Sequence, residues 1–360
     1  MNKSITKRLE LGFKRTLKRV LLRFLPPLQK GAPKPAAIRK VLVFRLDQRI
    51  GNGILLLPLL RAIRTSLPGA EIHLLIHHPV AGLFRESAAR WVDRIWPYHQ
   101  SYLMRWPLRY LGLFRRLRRE RFDLVITSHN PDNFSLSQAL AGRLMKPGWL
   151  VGFDAKDSAR FYDVAVASGT EKHYADVMID LLRIVAPQAV CEIGGLEISP
   201  EAKKALGERF PEFAEGGILV WLGATGKKVL PAGVFAFLYE QLREHSDLPV
   251  HFAAGTADAG LLHAYPDWIR ERTVIWQESL PETAAFFAHF ALFVSGDTGP
   301  MHLAAALGLP TLTIFIDSNL AQYGYHDEKK HFALQWQDTP ECRQGINRAI
   351  EKLFTTDLHG

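Results

Sequence analysis

Residues 293–310 read FVSGDTGPMHLAAALGLP, and this stretch decides the fold class. An apolar run ends in a glycine-flanked turn that exposes Asp297 and Thr298, and a run of small residues follows. Pro300 suits the first turn of a helix, because its missing N–H would have no partner inside the helix there. The stretch therefore predicts a strand, a turn and a helix, which is the repeating unit of a parallel α/β sheet.

The same stretch predicts an anion-binding site at the start of its helix. The N–H groups of a first helical turn lack partners within the helix, and the helix dipole favours negative charge there. Asp297 offers a carboxylate for sugar hydroxyls, and His302 lies one turn into the helix. The residues alone leave a second interpretation open, in which this is an ordinary α/β loop and His302 packs the helix.

Strand-like runs recur on both sides of this stretch. Apolar runs at 40–46, 71–77 and 122–127 predict strands in the first half, with a helix at 54–66. The second half shows such runs at 218–222, 249–254, 291–295 and 309–315, with a helix at 231–244. Two α/β series in 360 residues indicate two domains. We predict a basic tail and linker at 1–38 and Rossmann-like domains at 39–200 and 201–360, facing a central cleft.

The positive charge of the chain is confined to its beginning. The net charge is +9, but residues 1–40 hold 12 Lys and Arg and one acid, so the remainder is nearly neutral. Apolar residues recur in this tail at helical spacing: Leu9, Phe13, Leu17, Val20, Leu21, Phe24 and Leu28. This pattern predicts an amphipathic helix on an anionic membrane surface, through residues 1–30. A solvated basic extension that packs on the body is the alternative.

Other features of the composition indicate the compartment. No run of about 18 apolar residues is present, so no transmembrane helix is expected. Cys191 and Cys342 are far apart, which argues against a disulfide framework or a cysteine zinc site. We therefore expect a cytoplasmic protein, peripheral on the inner face of the cytoplasmic membrane.

The D-T-G-x-x-H pattern resembles glycosyltransferase family 9, the ADP-heptose:lipopolysaccharide heptosyltransferases. The matching residues are Asp297, Thr298, Gly299, His302, Gly308 and Pro310. The resemblance implies a GT-B fold, with the acceptor in the N-terminal half and the donor in the C-terminal half. It also implies inversion at the sugar carbon, and neither a metal nor any cofactor besides the nucleotide-sugar substrate.

Two further segments of the second half resemble the donor site of this family. Residues 222–231, LGATGKKVLP, are similar to its small-residue turn and K-x-W-P, with Leu230 in place of tryptophan. The resemblance places Lys228 on the donor diphosphate, beside Thr225 and Gly226; two exposed lysines at a helix start are the alternative. It places Asp258 near the ribose, although this residue also suits the N-terminal turn of a helix.

The loop after the first strand departs from the family pattern. The family carries I-G-D there, and its aspartate is the expected general base, whereas this chain reads Ile50-Gly51-Asn52. An asparagine amide does not accept a proton from a sugar hydroxyl near neutral pH. Asp47 is the nearest carboxylate, so it either replaces the base or caps the turn. Gly51 and Asn52 are expected in the acceptor-side loop.

These patterns together predict a function. The resemblance implies an inverting, metal-independent transfer of a sugar, heptose from ADP-heptose, onto a lipid-linked lipopolysaccharide core. A glycosyltransferase with another donor or acceptor, or a nucleotide-sugar-binding relative with little catalysis, remains as an alternative. Arginine-rich residues 105–121 are expected to face the anionic groups of a lipid-linked acceptor or the membrane; a solvated helix face is the alternative. No RNA-binding signature accompanies them, so no nucleic acid is expected.

Overall fold

Parallel sheets form the core of the structure, a computed structural model that describes Thr16 and residues 31–99, 107–155, 158–169, 171–224 and 226–355. Apart from Thr16, the predicted membrane helix of the tail lies outside the described residues. In the described part of the chain, no helix is long and apolar enough to cross a bilayer.

The first half is built on a parallel sheet with the strand order β3-β2-β1-β4-β5-β6. Its strands are β1 (Lys40–Phe44), β2 (Glu71–His77), β3 (Arg94–Tyr98), β4 (Leu124–Thr127), β5 (Trp149–Phe153) and β6 (Val164–Val166). Its α-helices are α1 (Ile50–Ile54), α2 (Leu57–Ser66), α3 (His78–Ser87), α4 (Pro107–Arg119), α5 (Leu136–Leu144) and α6 (Tyr174–Arg183). Short 3-10 helices occur at Pro35–Ala37, Ala89–Trp91 and Ala159–Phe161.

The second half repeats this arrangement, with the strand order β12-β11-β10-β7-β8-β9. Its strands are β7 (Ile218–Trp221), β8 (Val250–Gly255), β9 (Thr273–Trp276), β10 (Leu292–Gly296), β11 (Thr311–Phe315) and β12 (His331–Gln335). Its α-helices are α7 (Pro200–Arg209), α8 (Ala232–His245), α9 (Asp267–Arg270), α10 (Leu280–Phe287), α11 (Gly299–Ala306), α12 (Leu320–Tyr323) and α13 (Pro340–Thr355). Its 3-10 helices are Pro211–Phe213, Gly226–Lys228 and Thr256–Ala264.

The strand positions follow from continuous apolar runs. Val41 to Phe44 of β1 are fully buried, and so are all five residues of β11. Strands of a parallel sheet are covered by helices on both faces, so they do not alternate between apolar and polar residues. This is why the apolar runs of the sequence locate β1, β2, β4, β7, β8, β10 and β11 within two residues of their ends.

The two halves share an apolar core. Residues of both halves, among them Leu57, Ile76, Phe287 and Leu303, belong to one continuous buried cluster. Helix α1 of the first half packs against α11 of the second, and α3 packs against α10. These contacts bring the carboxyl ends of the two sheets face to face, and the α/β, GT-B-type architecture predicted from the sequence is confirmed.

Candidate functional site

A cleft of ≈ 940 Å³ lies between the carboxyl edges of the two sheets. From the first half it is lined by Gln48, Arg49, Ile50, Gly51, Asn52, Ile54 and Pro79. The second half contributes, among others, Trp221, Lys228, Thr256, Trp276, Glu278, Asp297, Thr298, Gly299, Pro300, His302 and Tyr323. Ligands of open α/β folds bind beyond the carboxyl ends of the strands, so this cleft is the candidate active site.

The turn between β10 and α11 forms one wall of the cleft. Thr298 is the N-cap of α11, and its side chain makes no capping hydrogen bond to the helix. Pro300 follows in the first turn, so this helix start presents backbone N–H groups and a free hydroxyl to the cleft. Such an arrangement favours an anion.

A lysine from the opposite turn reaches the same wall. Lys228 ends the 3-10 helix after β7, and its Nζ donates to Asp297 Oδ2 at 2.5 Å. Asp297 is 5% exposed, whereas the Lys228 side chain is 40% exposed. The ammonium also lies 5.9 Å from the ring centroid of Tyr323. The Asp297 carboxylate therefore fixes the position of Lys228, whose partly exposed side chain can still contact a ligand in the cleft.

His302 forms the floor of the cleft, where the two halves touch. Its Nδ1 lies 2.9 Å from the hydroxyl of Tyr325, and both side chains are buried. Its ring packs on the backbone of Gly51: a Cβ atom added at Gly51 would lie 2.7 Å from His302 Cδ2. Position 51 is therefore a glycine because α1 and α11 approach closely there, in addition to any role in binding.

We expect Gly51→Ala to destabilise the protein by about 1–3 kcal/mol, because the added methyl group meets a buried ring that is held by Tyr325. The free energy of unfolding by denaturant measures this loss. Gly233→Ala is the matched control, since it also lies in a helix and its added methyl group meets nothing within 4 Å. Equal stability of the Gly51→Ala variant and wild type would contradict this account of the interface.

Two histidines beside Tyr325, His302 and His173, make stability depend on pH. Burial lowers the pKa of His302 well below its usual value of 6.5, and it lowers the pKa of His173 to about 4. Below pH 6.5 the unfolded chain takes up protons at these residues that the folded chain does not. The stability contributed by these neutral histidines is therefore fully present above pH 6.5, and it decreases as the pH falls towards 4.

We expect the free energy of unfolding to fall by about 1–2 kcal/mol for each of these two histidines when the pH is lowered from 7 to 5. Denaturant unfolding at a series of pH values gives the slope of the unfolding free energy against pH, which reports how many protons the chain takes up on unfolding. His302→Gln should reduce this number by about one. His263→Gln, at an exposed position, is the control. A His302→Gln variant with the wild-type slope would show that His302 does not titrate in this way.

Asp47 lies beneath the loop that contains Gly51 and Asn52, in a polar network. Arg45 Nε donates to Asp47 Oδ2 at 2.5 Å, and the backbone N–H of Arg49 donates to Oδ1 at 3.2 Å. Asn52 Nδ2 lies 3.5 Å from the same Oδ2. Asn52 lines the cleft, so the Asp47 carboxylate stands directly behind the position where the family pattern has its aspartate.

Arg45 anchors this network from inside the first half. It is 1% exposed, and its Nη1 donates to the carbonyl of Ser128 at 2.6 Å and to the hydroxyl of Tyr174 at 3.0 Å. A buried guanidinium needs a carboxylate partner, because an uncompensated buried charge is strongly destabilising. Asp47 therefore balances Arg45, in addition to any part in catalysis.

The remaining sequence-predicted residues belong to the second half of the chain. Thr225 is outside the described residues. Gly226 has a φ of +63°, a conformation that favours glycine. Asp258 does not line the cleft, although its neighbours Thr256 and Ala257 do. Its carboxylate packs against Gly223, and burial raises its pKa, so Asp258 joins the turns that follow β7 and β8.

Sequence reasoning missed several residues of the cleft wall. Trp221 and Trp276 end β7 and β9, and both line the cleft. Trp276 Nε1 donates to Thr283 Oγ1 at 3.0 Å, whereas the buried Nε1 of Trp221 has no hydrogen-bond partner among the described residues. The rule that ligands bind at strand ends would have located these two residues. Tyr323, on α12, carries no comparable signal.

The described residues contain no cluster of three or more His, Cys, Asp or Glu side chains arranged to hold a metal ion. Arg49 and Lys228 are the arginine and lysine side chains that line the described cleft.

Comparison with known proteins agrees with this architecture. A family model described as "Glycosyltransferase family 9 (heptosyltransferase)" matches residues 110–348. Among solved structures, a glycosyl transferase family 9 protein from Veillonella parvula has a TM-score of 0.68 and 18% identity, over 88% of this chain and 97% of that one. The ADP-heptose lps heptosyltransferase II of E. coli has a TM-score of 0.66 and 16% identity, over 88% and 98%.

A third structure, the E. coli heptosyltransferase WaaC with ADP, has a TM-score of 0.65 and 18% identity, over 87% of this chain and 99% of that one. At these identities the structural likeness concerns the fold. A search of curated proteins found no match.

Proposed function

Since the chain belongs to glycosyltransferase family 9 and is therefore a glycosyltransferase, we propose that it transfers a heptose from ADP-heptose to a hydroxyl of a lipopolysaccharide core, with inversion at the sugar carbon. The observation that carries this proposal is the meeting of Lys228, Asp297 and the start of α11 in one interdomain cleft. Two neighbours in fold are named as E. coli heptosyltransferases, one of them for ADP-heptose and the other with ADP bound.

The second half would bind the donor. Lys228 and the N–H groups at Thr298 and Gly299 would hold the diphosphate and stabilise its charge as it leaves. Asp297, next to Lys228, would accept hydrogen bonds from the sugar hydroxyls. This proposal assigns the neutralisation of the leaving group to protein groups and not to a metal ion.

The first half would bind the acceptor and would supply the general base. The acceptor oxygen forms a bond to the anomeric carbon as the bond from that carbon to the diphosphate oxygen breaks, and the hydroxyl proton goes to a carboxylate. We assign this role to Asp47, whose Oδ2 lies 3.5 Å from Asn52 on the cleft wall. Arg45 would hold the carboxylate in place.

The decisive experiment measures ADP release with ADP-heptose, with and without a deeply truncated core acceptor. We expect release that requires the acceptor, and a product of inverted configuration by NMR. A panel of other nucleotide sugars with the same acceptor tests the donor. Release with another donor alone would replace ADP-heptose in the proposal.

A second candidate function follows from Asn52 and the pairing of Asp47 with Arg45. If that pairing withdraws Asp47 from catalysis, the protein binds nucleotide sugar with little turnover. Calorimetric binding of ADP-heptose without acceptor-dependent ADP release would favour this candidate.

The basic tail would hold the enzyme at the cytoplasmic face of the membrane, where a lipid-linked acceptor is found. Deletion of residues 1–30, which carry most of the tail's charge, should reduce sedimentation with anionic liposomes several-fold. Unchanged sedimentation would remove the tail from the proposal.

A further inference from the structure

Helix α4 (Pro107–Arg119) has a face that nothing in the described chain covers. One side packs on the first sheet through Leu113, Phe114 and Leu117, which are 7% exposed or less. The opposite side presents Leu108 and Leu111, which are 82% and 50% exposed. These two are among the few large apolar side chains of the described residues that lie open to solvent. Leu108 and Leu111 are one helical turn apart, so they form a single apolar patch on the same helix as the arginines.

The same side of α4 is strongly cationic. The helix carries Arg109, Arg115, Arg116, Arg118 and Arg119, and its sequence contains no acid. No ion pair within the described chain involves Arg115, Arg118 or Arg119. The acid that follows, Glu120, is already paired with Lys40 and Arg94. The exposed side therefore has leucines at its beginning and unneutralised arginines towards its end.

The leucine end of α4 lies at the edge of the sheet that faces the cleft. In a parallel sheet all carboxyl ends point the same way, and residues after β1 and β2 line the cleft. Tyr98, the last residue of β3, is 6.3 Å from Tyr110 in the first turns of α4, measured between ring centroids. Leu108 and Leu111 therefore lie towards the carboxyl edge of this sheet, the edge that carries the cleft, while Arg118 and Arg119 lie towards the opposite edge.

We propose that α4 is a second membrane-binding element, which seats the acceptor half on an anionic lipid surface. Leu108 and Leu111 enter the boundary between headgroups and acyl chains, and Arg115 and Arg119 contact lipid phosphates. This combination of apolar and basic residues is the one that interfacial helices use. The inference rests on the proposed function, because it places the cleft entrance beside the lipid that would carry the acceptor.

The test uses the full-length chain and vesicles of phosphatidylcholine, alone or with about one-third phosphatidylglycerol. The variants are Leu108→Gln with Leu111→Gln, and Arg115→Gln with Arg119→Gln; all four positions are exposed, so the fold should persist. The control, Lys329→Gln with Lys330→Gln, removes the same charge from an exposed turn of the other half. Partitioning is measured by sedimentation, and folding by circular dichroism.

We expect the arginine pair to lower partitioning into phosphatidylglycerol vesicles about tenfold or more. The leucine pair should lower it about fivefold, and the lysine control should leave it within about twofold. Wild-type partitioning of either α4 variant, or an equal loss in the lysine control, would overturn the proposal. ADP release with a soluble acceptor fragment should be unchanged in the α4 variants. If the wild type releases no ADP, the proposed transferase function is overturned. The partitioning into vesicles would still decide separately whether α4 binds lipid.

Discussion

Lys228→Ala is expected to reduce kcat for ADP release by about 10²–10³, the loss seen when one charged or hydrogen-bonding group is removed from a site of developing negative charge. The Lys228 ammonium is bonded to Asp297 and lines the same cleft as the start of α11. Its partial exposure allows it to contact a ligand without moving away from Asp297. Steady-state kinetics with saturating acceptor measure the change.

Two further variants separate catalysis from folding at this position. Lys228→Gln retains a hydrogen-bond donor for the buried Asp297 but removes the charge, so it should lose nearly as much activity with less effect on stability. Lys227→Ala removes the neighbouring exposed lysine, which does not line the cleft, and should keep wild-type activity. Equal losses at both lysines, or wild-type activity of Lys228→Gln, would contradict a role on the diphosphate.

Asp47→Asn is expected to reduce kcat by about 10²–10⁴, the contribution of a positioned general base. The amide oxygen still accepts from Arg45, but the buried guanidinium loses its counter-charge, so stability should fall together with the loss of proton transfer. The double variant Asp47→Asn with Asn52→Asp moves the carboxylate to the neighbouring side chain on the cleft wall. We expect it to recover part of the lost activity.

The control for this series is Asp338→Asn, which removes an ion-paired aspartate on the surface, outside the described cleft lining. Its activity should equal that of wild type. Full activity of Asp47→Asn would place the base elsewhere. A double variant that recovers stability but not activity would make Asp47 only the counter-ion of Arg45.

Much of the fold was predictable because buried parallel strands are visible as apolar runs. The bounds of β2 were predicted correctly, and β7 and β10 differ by one or two residues. Strand β3 was not predicted, because it is an edge strand with a half-exposed pattern and contains Pro97. The predicted helix 54–66 was wrong in one respect: the structure breaks it into α1, which begins earlier, and α2, which begins at Leu57 before Pro58.

The site was predictable where a local motif supplies the residue. The positions of Asn52, Lys228 and Asp297 around one cleft agree with the motifs that indicated them. The pairing of Arg45 with Asp47 was not foreseen, since an arginine at the end of a strand is ordinarily exposed and this one is buried. The contact of Gly51 with His302 joins residues about 250 positions apart, and no local pattern predicts such a contact.

The identical strand order of the two sheets bears on how such an enzyme changes its specificity. Each half brings its own set of loops to the cleft, and the halves meet in the described chain chiefly through the packing of α1 on α11 and of α3 on α10. Under the proposed function each half contacts its own substrate, so substitutions in the loops of one sheet would diversify one substrate while the other half stays constant. The proposal therefore makes the two substrates independent variables for evolution, and it predicts that chimeras that exchange whole halves between relatives combine one parent's donor with the other's acceptor, provided that Gly51 and its partner histidine are kept as a pair.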